Sequence, residues 1–219
     1  MIKKILKYLV LIFLIVAVIG FVLFLMIDQP LPIGETGPEA EQLADEMLTA
    51  LNKDAYDSLE YIEFSFRNAH HFEWDKVENK VNVKWEDREI YLDLNRSVRS
   101  FNLLELQAYK YFINDSFWLV APFKIRDKDV VRSIVTMDRP GERGLLVTYP
   151  SGGLTPGDSY LWIVDENGFP KAWKLWTSNV PIGGLKFTWG GWVNLDDKWF
   201  STIHESSVIN IPVSVSFIR

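Results

Sequence analysis

Thr155-Pro156-Gly157-Asp158 places a carboxylate behind a Pro-Gly pair at what should be a loop mouth. An aspartate so placed could ligate a cation or take up a proton. The same four residues are also turn chemistry, because Pro presets φ, Gly accepts positive φ and Asp bonds the neighbouring backbone. We adopt the turn reading and keep Asp158 as the loop-mouth candidate. The three histidines are His70, His71 and His204. Adjacent histidines on a strand face opposite ways and a metal needs converging ligands, so the pair reads as surface and no metal site is expected. Ser201 and Ser206 flank His204, but nothing around them resembles a nucleophile elbow. Asp54, Asp57, Glu60 and Glu63 lack the pattern of a Ca²⁺ loop and fit a solvated connection. Gly152-Gly153 and Gly183-Gly184 lack the Lys and helix that a phosphate cradle needs. No catalytic residue and no cofactor is expected.

With bond-making groups dispersed, the aromatic residues are the strongest remaining candidates. Phe64, Phe66, Trp85, Trp118, Trp162, Trp173, Phe187 and Trp189 include the apolar faces of several strands. They form an ordinary core, or some of them line a cavity. Burying an acyl chain yields about 0.8 kcal/mol per CH₂, so such a cavity would bind lipid with no polar chemistry.

The elements that must position these rings follow from periodicity. Ala40, Leu43, Ala44, Met47, Leu48 and Leu51 recur at helical spacing, which predicts a helix capped by Thr36, opened by Pro38 and ending near Asn52. Ile62–Phe66, Val81–Trp85 and Ile90–Leu94 alternate with period two, the mark of antiparallel strands wet on one face. Phe101, Leu104, Ala108, Tyr111 and Phe112 predict a second helix over Ser100–Ile113, stopping at Asn114-Asp115. Phe117–Val120 reads as a short strand or buried turn ended by Pro122. Leu145–Tyr149, Ser159–Val164, Lys171–Thr177, Leu185–Trp189, Trp199–Glu205 and Val213–Phe217 complete about ten strands. Asn167-Gly168 suggests a type I′ hairpin, and Gly190-Gly191 a bulge or close backbone approach.

Before all of this stands Tyr8–Ile27, twenty uncharged residues of which sixteen are Leu, Ile, Val or Phe. As a helix this run is about 30 Å long, the thickness of a bilayer's hydrocarbon core. Its insertion is favoured by roughly 5 to 10 kcal/mol. Lys3, Lys4 and Lys7 precede it and Asp28, Glu35, Glu39 and Glu41 follow, so the positive-inside rule puts the amino end in the cytoplasm. The run is longer than a signal-peptide core and no small-x-small site follows it, which favours an uncleaved anchor. Gln29–Gly34 carries two prolines and a glycine that stop the helix. The expected organisation is a cytoplasmic stub and signal-anchor over 1–28, a linker over 29–37 and an extracytoplasmic domain over 38–219. Without the three leading lysines, the 23 Lys and Arg fall to 20 against 29 Asp and Glu, a net −9. An acidic domain argues against nucleic acid as a partner and against electrostatic docking on anionic lipid. Without cysteine there is no disulfide, thiolate or Cys-ligated metal.

Three stretches resemble an uncharacterised family of bacterial envelope domains: Asn114–Trp118 with Pro122-Phe123-Lys124, Leu146–Tyr149 leading to Thr155–Tyr160, and Pro170–Trp173. The order of helix, strands, central helix and strands is also similar to the periplasmic lipoprotein-carrier superfamily. That resemblance implies an unclosed β-barrel whose helices cover an apolar cavity for acyl chains. The expected fold is therefore mainly β (α+β), a membrane helix followed by a curved antiparallel sheet with two helices on its concave side. The expected function is non-catalytic binding of a lipid or other apolar ligand beside the bilayer. An envelope interaction or sensing module with a filled core is the alternative, its protein partner unknown.

Overall fold

The computed structural model describes residues 2–219, the side chains of residues 2–5, 17, 19 and 21–26 excepted. The first helix, α1, spans Ile2–Ile27. Among the described residues no helix is long and apolar enough to cross a membrane. Described side chains in α1 run unbroken only over 6–16, short of the roughly 20 residues a crossing needs. The expected span thus rests on the sequence of Tyr8–Ile27. The side chains of Lys3 and Lys4, used above for orientation, lie outside the described residues.

Helix α2 spans Pro38–Ala50 and buries Ala40, Leu43, Ala44, Met47 and Leu48, the face that periodicity predicts. Thr36 does not cap it. Gly37, at φ 142°, is the N-cap, and its carbonyl accepts from the N–H groups of Ala40 and Glu41 at 3.1 and 3.2 Å. Asn52, at φ 55°, breaks the helix before a short helix α3, Lys53–Asp57.

Helix α4 spans Leu103–Val120, later at both ends than the predicted second helix. Its start is set by a capping box. The Asn102 side chain accepts from Leu104 N at 2.9 Å and Glu105 N at 3.0 Å, while Glu105 Oε2 accepts from Asn102 N at 2.8 Å. Asn114 and Asp115 do not stop the helix, because Asp115 is buried and finds a partner in His70. Phe117–Val120 is therefore helical, and the chain turns only at Ala121–Lys124, where Pro122 breaks it.

Among the described residues there are thirteen strands, all paired antiparallel. In chain order, β1 is Tyr61–Phe66, β2 His70–Asp75, β3 Lys80–Trp85, β4 Arg88–Asp93, β5 Val131–Val135, β6 Arg143–Thr148 and β7 Ser159–Val164. Then come β8 Pro170–Trp176, β9 Leu185–Thr188, β10 Val193–Leu195, β11 Lys198–Phe200, β12 Ile203–Glu205 and β13 Asn210–Ile218. The sequence reading missed β2, β5 and β10, and it ran β11 and β12 together. The strands form a six-stranded sheet, β12-β13-β1-β2-β3-β4, and a five-stranded sheet, β5-β6-β7-β8-β9, beside the small β10-β11 pair. The two large sheets meet at one bridge between Gly190 and Ile203, bonded in both directions at 3.0 and 3.1 Å. The outcome is an unclosed antiparallel wall with edges at β4 and β5. Edge β5 is covered by the linker, because Glu35 and Ile134 exchange backbone hydrogen bonds at 2.9 and 2.8 Å.

The β7–β8 hairpin departs from the predicted type I′ turn. Gly168 alone takes positive φ, at 84°, while Asp165 Oδ1 accepts from the backbone N–H groups of Asn167 and Phe169. This is a three-residue loop with glycine at its left-handed position. A Cβ on Gly168 would stand 2.8 Å from the Glu46 carbonyl of α2. Gly168→Ala should therefore destabilise the fold by about 2 kcal/mol through backbone strain and lost helix seating. A fall in the urea midpoint with little change for Asn167→Ala checks this.

Candidate functional site

The inner faces of both sheets converge on α4. Trp118 meets Trp173 at 5.1 Å and Phe187 at 4.9 Å between ring centroids, and Phe117 meets Tyr160 at 5.1 Å. Behind them Trp162, Trp173 and Trp189 touch one another at 4.9–5.0 Å with tilted or edge-to-face planes. Such edge-to-face packing suits the ring quadrupoles. On the other sheet Phe64 stacks on Phe72 at 4.7 Å, Phe112 of α4 meets Trp74 at 5.1 Å, and Trp85 lies edge-on to Tyr111 at 5.5 Å.

Of the eight candidate rings, Phe64, Phe66, Trp85, Trp162, Trp173, Phe187 and Trp189 are buried, and Trp118 is half-buried. Five of them gather around Trp173 in one cluster. Phe64 and Trp85 belong to the other sheet's cluster. Phe66 is buried without a ring partner among the described residues. The rings supplied by β2 and α4, namely Phe72, Trp74, Phe112 and Phe117, were not among the candidates. Phe72 and Trp74 alternate with His71 and Glu73, so the signal for β2 lies in its own residues. One open groove lies away from these rings. It holds about 770 Å³ on the outer side of α2, with Glu41, Asp45, Glu46 and Glu166 in its lining.

One polar side chain sits inside the tryptophan cluster. His204, on β12, is fully buried, with Trp189 at 4.4 Å and Trp118 at 5.4 Å between centroids. Its Nδ1–H donates to the Thr188 carbonyl at 3.3 Å, and Nε2 has no partner among the described residues. Burial pulls its pKa down from the ordinary 6.5 to about 4, against backbone hydrogen bonds that act to raise it. The imidazole is neutral at pH 7.

A second buried polar pair was not foreseen. His70 opens β2 facing inward and its Nδ1 lies 2.6 Å from Asp115 Oδ2, while its ring stacks on Tyr111 at 4.0 Å. His71 faces out, as alternation requires. The surface reading therefore holds for His71 and fails for His70, because the stretch is a strand and not a loop. Burial pushes the Asp115 carboxyl above its ordinary value, against hydrogen bonds from Asn114 and His70 that pull it down.

Asp158 is buried and serves its own turn. Its Oδ2 accepts a short hydrogen bond from Thr155 Oγ1, and its Oδ1 accepts from Ser178 N at 3.1 Å. It thereby ties the β6–β7 loop to the β8–β9 loop. Ser201, Ser206 and His204 form no nucleophile–base pair. Ser201 Oγ donates to Gly190 O at 2.7 Å and Ser206 Oγ to Ile209 O at 3.0 Å. The early carboxylates spread out: Asp57 pairs with Lys53, Glu60 approaches Arg219, and Glu63 accepts from Tyr61. Among the described residues no three His, Asp or Glu side chains are grouped to hold a metal.

Compared with family models, curated proteins and solved structures, the chain matches none.

His204 makes stability depend on pH with a definite sign. Its folded pKa lies below its unfolded value, so the unfolded chain binds the proton first. The contribution is fully present above pH 6.5 and is lost as pH falls from 6.5 to about 4. The shift corresponds to about 3 kcal/mol. Asp115, raised above its ordinary value, acts in the opposite sense and is common to both proteins in a comparison. The unfolding free energy of His204→Asn should therefore fall less than that of the parent over this window, by about 3 kcal/mol. Denaturant titrations at pH 7 and pH 4 read the difference.

Proposed function

We propose that this chain is a membrane-tethered, extracytoplasmic, non-catalytic module that acts through its surface, binding or sensing a partner in the cell envelope on a filled half-barrel scaffold. The observation that carries the reading is the ring-on-ring packing of Trp118, Trp162, Trp173, Phe187 and Trp189 across the space that a carrier would leave open for an acyl chain. A filled interior stabilises the domain and leaves recognition to the outside, where specificity comes from exposed side chains and loops. The tether is the apolar run Tyr8–Ile27 of α1, with Lys3, Lys4 and Lys7 on the cytoplasmic side and the acidic domain beyond the membrane. The partner inside the membrane is the bilayer itself.

Binding of a lipid or other apolar ligand is the second reading. Two observations favour it: the carrier-like order of helix and strands, and the position of Trp118, the one candidate ring that is only half-buried. An acyl chain would have to displace Trp118 from Trp173 and Phe187.

Native mass spectrometry of residues 28–219 after incubation with membrane extract separates the two. The filled-core reading expects the bare protein mass. A stoichiometric lipid adduct, lost on Trp162→Arg in a variant that still unfolds cooperatively, would establish the carrier reading in its place.

A further inference from the structure

The chain joins the domain without slack. Directly after α1 ends at Ile27, Asp28 Oδ1 accepts from Gly183 N at 2.7 Å. Gln29 N then donates to Gly183 O at 3.0 Å, and Gln29 O accepts from Trp176 Nε1 at 2.7 Å. Lys174 Nζ completes the clasp by donating to Gln29 Oε1 at 2.9 Å. Gly183 is needed here, since a Cβ would meet Gln29 O and the Trp176 ring at 2.6 Å. The linker is thus fastened to the β8–β9 connection at its first residues and to β5 at Glu35.

The clasp decides which end of the wall lies beside the end of α1. Strand β8 runs toward it and β9 away from it, so the 177–184 loop is at that end. The pairing of Thr148 and Trp176 with Ser159 puts the 149–158 loop there too. Ile203 pairs with Gly190, and Glu205 N bonds Thr188 Oγ1, so β12 runs back toward the same end and its turn to β13, residues 206–209, points there. These loops present exposed aliphatic side chains: Val208 at 81% and Ile209 at 38% exposure, with Leu154 at 40%.

The 206–209 turn also pairs three of its own backbone N–H groups. The N–H groups of Val208 and Ile209 both donate to Ser206 Oγ, at 3.2 and 2.9 Å, and Ser206 N donates to Ile209 O at 3.0 Å. Pairing these three donors internally lowers the cost of bringing the tip toward an apolar medium. A half-buried tryptophan bonded at the clasp is likewise a residue type that favours the headgroup level.

We infer that the domain rests on the same leaflet that its anchor crosses, with Val208, Ile209 and Leu154 dipping into the boundary between headgroups and acyl chains. This rests on the reading that Tyr8–Ile27 spans a bilayer. The occupant of the rim is the lipid surface, and the domain's opposite end, with the β2–β3 turn, faces away from it.

The chain contains no cysteine, so single labels can be placed cleanly in the full-length protein reconstituted in phospholipid vesicles. An environment-sensitive dye on Val208→Cys or Leu154→Cys should shift to the blue and lose emission to nitroxide lipids labelled near the headgroup. The same dye on Val77→Cys, a 71% exposed residue of the β2–β3 turn, should do neither. Phe13→Cys, inside the anchor, should be quenched by nitroxides deeper in the acyl chains. If Phe13→Cys is quenched while positions 208 and 154 behave like 77, the rim inference is wrong and the anchor stands. If Phe13→Cys escapes quenching, the anchor reading fails and the rim inference with it.

Discussion

The contact between the rings of α4 and the inner rings of the two sheets is the constraint on which the structure depends. The two sheets are joined along a short seam, the Gly190–Ile203 bridge with hydrogen bonds from His204 and Glu205 to Thr188, so what fills the angle between them sets their relation. Helix α4 spans that angle. Its Phe112 packs on Phe72 and Trp74 of the six-stranded sheet, and five to six residues later Phe117 and Trp118 pack on Tyr160, Trp173 and Phe187 of the other. Aromatic side chains bury the most surface per residue, so a few of them on one helix can fill a wide concavity. The buried Asp115–His70 pair adds a fixed register between α4 and β2. It is also the reason that α4 continues through Asn114 and Asp115.

Electrostatics then places α2 on the flank of this core. Arg126 and Arg132 both bond Glu41, Arg126 also reaches Asp45, and Arg143 pairs with Glu46 and the Asp165 carbonyl. Burial acts to raise the Glu41 carboxyl, but hydrogen bonds from Arg132 and Arg126 outweigh it and hold the group below its ordinary value. Each of these pairs is partly exposed and contributes modestly alone. Their value is positional. They hold the acidic face of α2 against the loops of the five-stranded sheet, while the helix's apolar face supplies the packing. With the helix held there, the preceding linker is stretched over β5 and has no freedom to act as a loose tether.

A packed interior and a fastened tether bear on function together. A carrier needs a vacancy, whereas here Trp118, Trp162, Trp173, Phe187 and Trp189 pack on one another between α4 and the five-stranded sheet, and the linker is bonded at both ends. His204 sits at the centre of the filling as a neutral, half-satisfied imidazole, and tolerates that position because the surrounding rings exclude the water that would charge it. On the proposed reading, recognition falls to the outside of the wall: the loop rim beside the end of α1, the wet face of the six-stranded sheet and the β4 edge.

Much of this was legible before any coordinates. Period-two alternation in Ile62–Phe66, Val81–Trp85 and Ile90–Leu94 fixes strand and face together, because a one-residue slip would expose every apolar side chain. The helical spacing of Ala40 to Leu51 is equally direct, as is turn chemistry at Asp158. The apolar length of Tyr8–Ile27 and the charge on its two sides also belong to the sequence alone. What the sequence did not determine was anything that depends on a partner distant in the chain. Asn114-Asp115 reads locally as a stop and becomes helix only because His70, 45 residues away, receives the carboxylate. Thr36 reads as a cap but yields to the φ of Gly37, and the Gln29–Gly34 linker reads only as a helix stop, its bonds to Gly183 and Trp176 being set by the fold. Whether eight aromatic residues enclose a hollow or fill it is likewise a matter of how rings from α4 and two sheets interlock. Local pattern records which face a side chain takes, and only the folded chain decides what it meets there.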